Sequence, residues 1–228
     1  MSHMRDASMA EPALDEQSEF AIRSPKRPLS ARVAKRSLDL IGSLVGLVVL
    51  APFLAGVALL IRLVDGSPVL FRQPRAGVRG RPFMIVKFRT MAPDADARRP
   101  MLRLVNEVSG NAAFKLRNDP RTTRLGRILR KTSIDELPQL WNVLMGHMSL
   151  VGPRPHPFDD VAGYASWQYR RLDVKPGMTG LWQVTARADL SFDRWVELDL
   201  TYIDNWSLGY DLKLLAQTIP AVLRQEGR

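Results

Sequence analysis

Residues 40–61, LIGSLVGLVVLAPFLAGVALLI, carry no charged side chain, and this run limits the fold more than any other stretch of the chain. As a helix rising 1.5 Å per residue, it is long enough to cross a hydrocarbon layer about 30 Å thick. So uniform an apolar surface does not suit a helix of a water-soluble core, which keeps one polar face. The run starts far from the N-terminus, lacks an acceptable cleavage site and is followed by Arg62, so it does not read as a cleaved secretory signal. It is expected to stay in the membrane. Both flanks are basic, with Arg32, Lys35 and Arg36 before it and Arg62, Arg72, Arg75, Arg79 and Arg81 after it. Lys and Arg mark the cytoplasmic side, so both ends prefer the same side. Pro52 sits near the middle, where it removes a helical hydrogen bond and predicts a kink. Two topologies stay open on these residues: a kinked transmembrane helix, or a re-entrant helix that turns at Ala51-Pro52 and comes back.

The charge balance narrows the partners. Lys and Arg total 33 against 23 Asp and Glu, a formal net charge of +10 over 228 residues. An anionic partner follows: nucleic acid, a phosphorylated small molecule or an acidic membrane surface. There is no cysteine, which excludes disulfides, thiolate metal sites and a cysteine nucleophile. Residues 1–32 are polar and are expected to be disordered, residues 33–62 form the membrane helix, and residues 63–228 are expected to form one cytosolic catalytic domain.

Beyond the membrane segment, two β-rich runs, Val69 to Arg72 and Pro82 to Phe88, flank a turn at Gly77 and Gly80 and predict a small hairpin. Arg117, Arg121, Arg124, Arg127 and Arg130 recur every three or four residues, which places several guanidinium groups along one side of a helix. Helical patterns cover roughly 191–205 and 209–224. The fold class that results is α+β, mainly helical.

The stretch KTSIDELPQLW, residues 131–141, sets Asp135 beside Glu136. Ser133-x-x-Glu136 spells a capping box, so both acids could simply serve a helix start. Pro138 is harmless only in a first helical turn, which moves the expected start to about Asp135. There a carboxylate and a bound phosphate are both stabilised by the positive helix end.

Five ordered motifs lift these acids out of the capping explanation: KRSLD (35–39), VKFRTM (86–91), RKTSIDELPQLWNVL (130–144), SLVGPRP (149–155) and VKPGMTGLWQV (174–184). Together they resemble the bacterial sugar transferases, the small monotopic phosphoglycosyl transferases, over residues 33 to 224. That resemblance implies transfer of a sugar-1-phosphate from a UDP-sugar to undecaprenyl phosphate, with release of UMP, at the cytoplasmic face of the bacterial inner membrane. It implies Asp135 as nucleophile, Glu136 as a ligand of Mg²⁺, and Arg130 and Arg154 on the donor phosphates. Lys87 and Arg89 of VKFRTM are expected to join them. Lys35, Arg36 and Asp39 are expected to anchor the helix, and Pro52 to turn it back as a re-entrant hairpin. The kink departs from the family's frequent Ser-Pro, since Ala51 supplies no hydroxyl. Membrane lipids are expected partners, nucleic acid is not, and a homodimer is left open.

The chemistry stands without the family. Cations must neutralise a diphosphate before a carboxylate can attack it, and an aspartyl phosphate is reactive enough to pass its phosphoryl group on. Two rivals remain: a metal-dependent glycosyltransferase built on Asp94-x-Asp96, which would release UDP, and a non-enzymatic basic membrane anchor. MAPDADARRP reads as a polar loop. Trp141, Trp182, Trp195 and Trp206 read as packing residues, and His147 and His156 as structural or surface positions. The donor is expected to be UDP-glucose or UDP-galactose.

Overall fold

The computed structural model describes residues 27–109, 113–116, 118–186 and 188–223. Arg117 and most of the polar segment 1–32 lie outside them. Helix α1 runs from Leu29 to Val64 as one helical segment with Pro52 inside it. Its apolar surface is left bare: Ile41, Leu44, Val45, Val48, Val49, Phe53, Leu59, Leu60 and Leu63 are all exposed. The buried positions are Asp39 and Ser43 near one end and Val57 and Ile61 near the other.

Those two ends dock on the same globular body. At the first, Lys35 pairs with Asp211 at 2.7 Å. Asp39 Oδ1 accepts from Ser149 Oγ and from the Leu150 amide, each at 2.9 Å. Arg36 donates to the carbonyls of Val143 and Leu144 at 2.7 and 2.8 Å, at the C-terminal end of the short helix α4 (Gln139–Leu144), where a cation meets the negative end of the helix. At the second end, Val57 and Ile61 pack with Phe88 and Leu129. Asp65 accepts from Thr123 Oγ1 at 2.8 Å.

Strands β1 (Leu70–Ala76) and β2 (Pro82–Phe88) form the expected antiparallel hairpin, with Phe71 opposite Lys87 and Arg75 opposite Phe83. Side chains of a strand alternate between faces. Phe83, Ile85 and Lys87 therefore share the inward face of β2, and Phe71, Gln73 and Arg75 share that of β1. Asn142 of α4 fixes this hairpin from behind. Its Oδ1 accepts from the Val86 amide at 2.9 Å and its Nδ2 donates to the Met84 carbonyl at 2.7 Å. A buried amide that satisfies both groups on one strand edge holds the register of that strand against the helix.

Helix α2 covers Ala95–Leu102, which corrects the expected polar loop over MAPDADARRP. Helix α3 covers Arg124–Lys131, capped by Thr123 Oγ1, which accepts from the Gly126 amide. The arginine row is thus shorter than its spacing predicts. Arg121 precedes the helix and is buried in an ion pair with Asp119, because Thr123 starts the helix after it. Gly126 has a reason: a Cβ there would lie 2.0 Å from the Thr90 carbonyl oxygen.

Strand β3 (Ser149–Val151) pairs in parallel with β4 (Gly177–Thr179). Beyond it the chain includes α5 (Phe158–Val161), the 3-10 run Ser166–Asp173, α6 (Leu181–Thr185), α7 (Phe192–Asp204) and α8 (Leu208–Leu223). The last two match the expected helices. The core lies between them and the motif loops: Phe192, Trp195 and Val196 pack with Trp182, Tyr164 and Val161, and Leu214 with Ile203, Tyr202 and Val151.

Candidate active site

A cavity of about 510 Å³ opens between the hairpin, the turn carrying Asp135 and the loop Pro153–Pro157. Its lining brings Lys87 and Arg154 together with Arg130, Asp135 and Glu136, from three separate stretches of the chain.

Asp135 does not begin an α-helix. Ile134–Glu136 form a single 3-10 turn, Ser133 before it is left-handed at φ 57°, and no side-chain cap bond is made there. The α-helix starts at Gln139 with Pro138 as its cap. The capping-box explanation and the expected helix start at Asp135 are both corrected, because the left-handed Ser133 turns the chain sharply out of α3. That turn points Asp135 inward, where it is 7% exposed. Among the described residues nothing hydrogen-bonds to its carboxylate.

Glu136, by contrast, is fully engaged. Lys87 Nζ lies 3.0 Å from its Oε1, while Arg154 Nη2 lies 2.5 Å from Oε1 and Nη1 3.2 Å from Oε2. Burial drives the two acids apart according to their partners. It pushes Asp135 up to about 6, helped by the charge of Glu136 and opposed by Lys87, Arg130 and Arg154. It would raise Glu136 too, but Arg154 and Lys87 overturn that and hold Glu136 well below the usual carboxylate range. The pair therefore consists of one firmly ionised acid and one unpartnered acid poised close to neutrality, a division seen where chemistry is done.

Each cation is placed by the fold. Lys87 is on the inward face of β2, and burial pulls its pKa down while Glu136 opposes that. Arg130 reaches over from α3, its Nε donating to Thr90 Oγ1 at 2.9 Å and its Nη1 to Thr122 Oγ1 at 3.3 Å. The approach of Gly126 to Thr90 makes this reach short enough. Arg154 sits on a loop locked between two glycines: a Cβ on Gly177 would lie 2.1 Å from the Gly152 nitrogen. Its own carbonyl accepts from Arg171 Nη2 at 3.2 Å. Arg171 is in turn held by Asp199 at 2.6 Å and Tyr164 at 2.9 Å in a fully buried cluster. Sequence reading missed Arg171 and Asp199, which have no local signature.

The remaining expected residues are placed as follows. Arg89 borders the cavity, but its Nη2 donates to the Asp65 and Gly66 carbonyls at 2.6 and 2.9 Å, so it ties down the end of α1. Asp94 pairs with Arg98 on the surface, and Asp96 is exposed. His156 is buried and held neutral by burial with Arg171, Arg75 and Arg154 nearby, and His147 is exposed. Trp182 stacks on Trp195 with centroids 4.7 Å apart.

Residues 30–225 match the model of the bacterial sugar transferases. The chain belongs to the bacterial sugar transferase family. It is 45% identical over 196 residues to galactosyl transferase CpsE of Streptococcus agalactiae, covering 86% of this chain and 43% of that protein. It is 42% identical over 203 residues to the undecaprenyl-phosphate galactose phosphotransferase of Salmonella typhimurium, covering 87% and 42%. To the exopolysaccharide production protein ExoY of Rhizobium meliloti it is 40% identical over 204 residues, covering 88% and 90%. The chain thus spans less than half the length of the first two relatives and nearly all of the third.

Proposed function

We propose that the chain transfers a sugar-1-phosphate from a UDP-sugar to a polyprenyl phosphate such as undecaprenyl phosphate, as an early membrane step of exopolysaccharide or glycoconjugate synthesis. The observation that carries this reading is a buried Asp135 with no hydrogen-bond partner among the described residues, sharing its cavity with Lys87, Arg130 and Arg154. A carboxylate aimed into a pocket that attracts phosphate is a nucleophile facing its target. An oxygen of Asp135 bonds to the β-phosphorus of the donor, the bond from that phosphorus to the bridging oxygen breaks, and its electron pair leaves on the α-phosphate as UMP. A phosphate oxygen of the lipid then attacks the same phosphorus, restoring the free aspartate and forming a lipid diphosphate sugar. Arg130, Arg154 and Lys87 hold the donor oxygens and offset their charge.

Glu136 is the residue that would hold Mg²⁺, which takes one or two carboxylates and completes its shell with substrate phosphates, and it would do so by exchanging a contact with Lys87 or Arg154 for the ion. Such an ion would supply charge neutralisation of the diphosphate.

Both docked ends of α1 support a re-entrant placement at the cytoplasmic face of the inner membrane. A helix that crossed the bilayer would carry one end away from the body that here grips both Asp39 and Ile61. The bare apolar middle of α1 then dips into the lipid, with the cavity at headgroup depth. Relatives with galactose in their names make UDP-galactose the first donor to try, with UDP-glucose second. Assaying UMP release across UDP-sugars, with polyprenyl phosphate and Mg²⁺, tests the reaction class and the sugar together. Release of UDP instead would replace this reading with ordinary glycosyl transfer.

A further inference from the structure

Arg75 borders the cavity and has no part in the steps above. It sits on the inward face of β1 with Phe71 and Gln73. Its Nη2 donates to Gln73 Oε1 at 2.7 Å and its Nη1 to the Pro155 carbonyl at 3.4 Å. Its Nε is shut off from solvent and has no partner among the described residues. No described carboxylate comes within ion-pairing distance of it either. Four other arginines in and beneath this wall have a carboxylate of their own: Arg121 has Asp119, Arg99 has Asp160, Arg171 has Asp199 and Arg154 has Glu136. Arg130 and Arg89 lack one as Arg75 does, but Arg130 is held by two threonine hydroxyls and Arg89 by the carbonyls that end α1.

Withdrawing a guanidinium from water without a counter-charge is unfavourable, and the fold tolerates it where a ligand supplies the missing anion. Arg75 feels this cost: burial, with Arg154 and Arg99 adding repulsion and the more distant Asp160 and Glu136 only partly opposing them, pulls its pKa down to about 10. The contact with Pro155 sets Arg75 beside the Arg154 loop, so an anion in the cavity would meet both guanidinium groups.

We infer that Arg75 is a clamp for a phosphate monoester in this cavity. The inference rests on the proposed reaction, in which two such groups use the site in turn: the α-phosphate that departs as UMP and the lipid phosphate that follows. A guanidinium that borders the cavity without a carboxylate of its own stabilises the charge that group gains as the bridging bond breaks. A purely structural Arg75 would instead exist for Gln73 and Pro155.

The test uses the full chain in lipid nanodiscs, as wild type, Arg75→Gln and Arg75→Lys. Three readouts are taken: thermal stability with and without UMP, inhibition of turnover by UMP, and discharge of preformed aspartyl adduct by polyprenyl phosphate. A clamp predicts that Arg75→Gln without ligand unfolds at the wild-type temperature or above it, since an unpaired charge has gone. It also predicts loss of the UMP-induced shift and a rise of about tenfold or more in the UMP inhibition constant or in the lipid concentration needed for discharge. Arg75→Lys should fall between the two. A change in the UMP readouts alone assigns the clamp to the nucleotide, and a change in discharge alone assigns it to the lipid phosphate. A drop in ligand-free stability with unchanged ligand responses would overturn it. The thermal shift needs no turnover, so a wild type that is stabilised by UMP but never releases it would sink the reaction and leave the clamp standing.

Discussion

Replacing Asp135 by asparagine should make the protein more stable at neutral pH, because the fold holds this acid against its preference. A carboxyl with an ordinary value of 3.8 is pushed to about 6 in the folded chain. Between those values the folded protein keeps a proton that the unfolded chain has lost, so stability falls as pH rises from about 4 to about 6 and stays low above that. A difference of about two units corresponds to about 3 kcal/mol. Asparagine copies the shape of the neutral acid, so Asp135→Asn should gain about 1–3 kcal/mol at pH 7.5 and about half of that at pH 5. For a chain of this size each kcal/mol moves the melting temperature by about 2–4 °C. The assay is thermal or urea unfolding of both proteins in the same lipid or detergent at pH 5, 6 and 7.5, without metal. If Asp135 merely decorated a helix start, the change would be neutral, since Asp and Asn cap about equally. A variant that is less stable than wild type at pH 7.5, or whose gain does not grow with pH, would refute the reasoning.

Three further expectations follow from the same geometry. Arg154→Lys keeps the charge but loses the fork that grips both oxygens of Glu136, so kcat/KM for the donor should fall about tenfold or more, and unchanged kinetics would remove Arg154 from the phosphate site. Asn142→Leu strands the Val86 amide and the Met84 carbonyl; it should cost about 2–4 kcal/mol in denaturant unfolding, and a cost near zero would show that the hairpin is held by other contacts. Single cysteines at Ser30 and Ser67, in a chain with no native cysteine, should both be labelled only from the cytoplasmic side; labelling of position 30 from the periplasm would eliminate the re-entrant helix.

Much of this was legible because it is local. Uniform apolarity announced α1, alternation announced the hairpin, and helical periods announced α7 and α8. The acidic pair stood out as adjacent letters. The misreadings arose where a local rule had two outcomes. Pro138 serves equally as a cap or a first-turn residue, and it took the cap, so the helix began at Gln139. Ser133 adopts a left-handed turn that glycine would have advertised and serine does not. Partner choice was the least legible property. Arg75, Arg89 and Arg121 look alike in sequence, yet one borders the cavity bound only to Gln73 and the Pro155 carbonyl, one holds the end of α1 and one is neutralised by Asp119. The alternation that sends Arg72 outward and Arg75 inward was the one available signal.

The central claim is that Asp135 bonds to the phosphorus of the donor. Enzyme mixed with UDP-galactose and Mg²⁺, with no lipid acceptor, should release up to one UMP per active site and gain the mass of a hexose phosphate on Asp135. Added polyprenyl phosphate should then remove that mass, and Asp135→Asn, folded and free of deamidation by mass, should show neither event. A full-turnover Asp135→Asn protein, or UMP released only when lipid is present and with no adduct on the chain, would contradict the account.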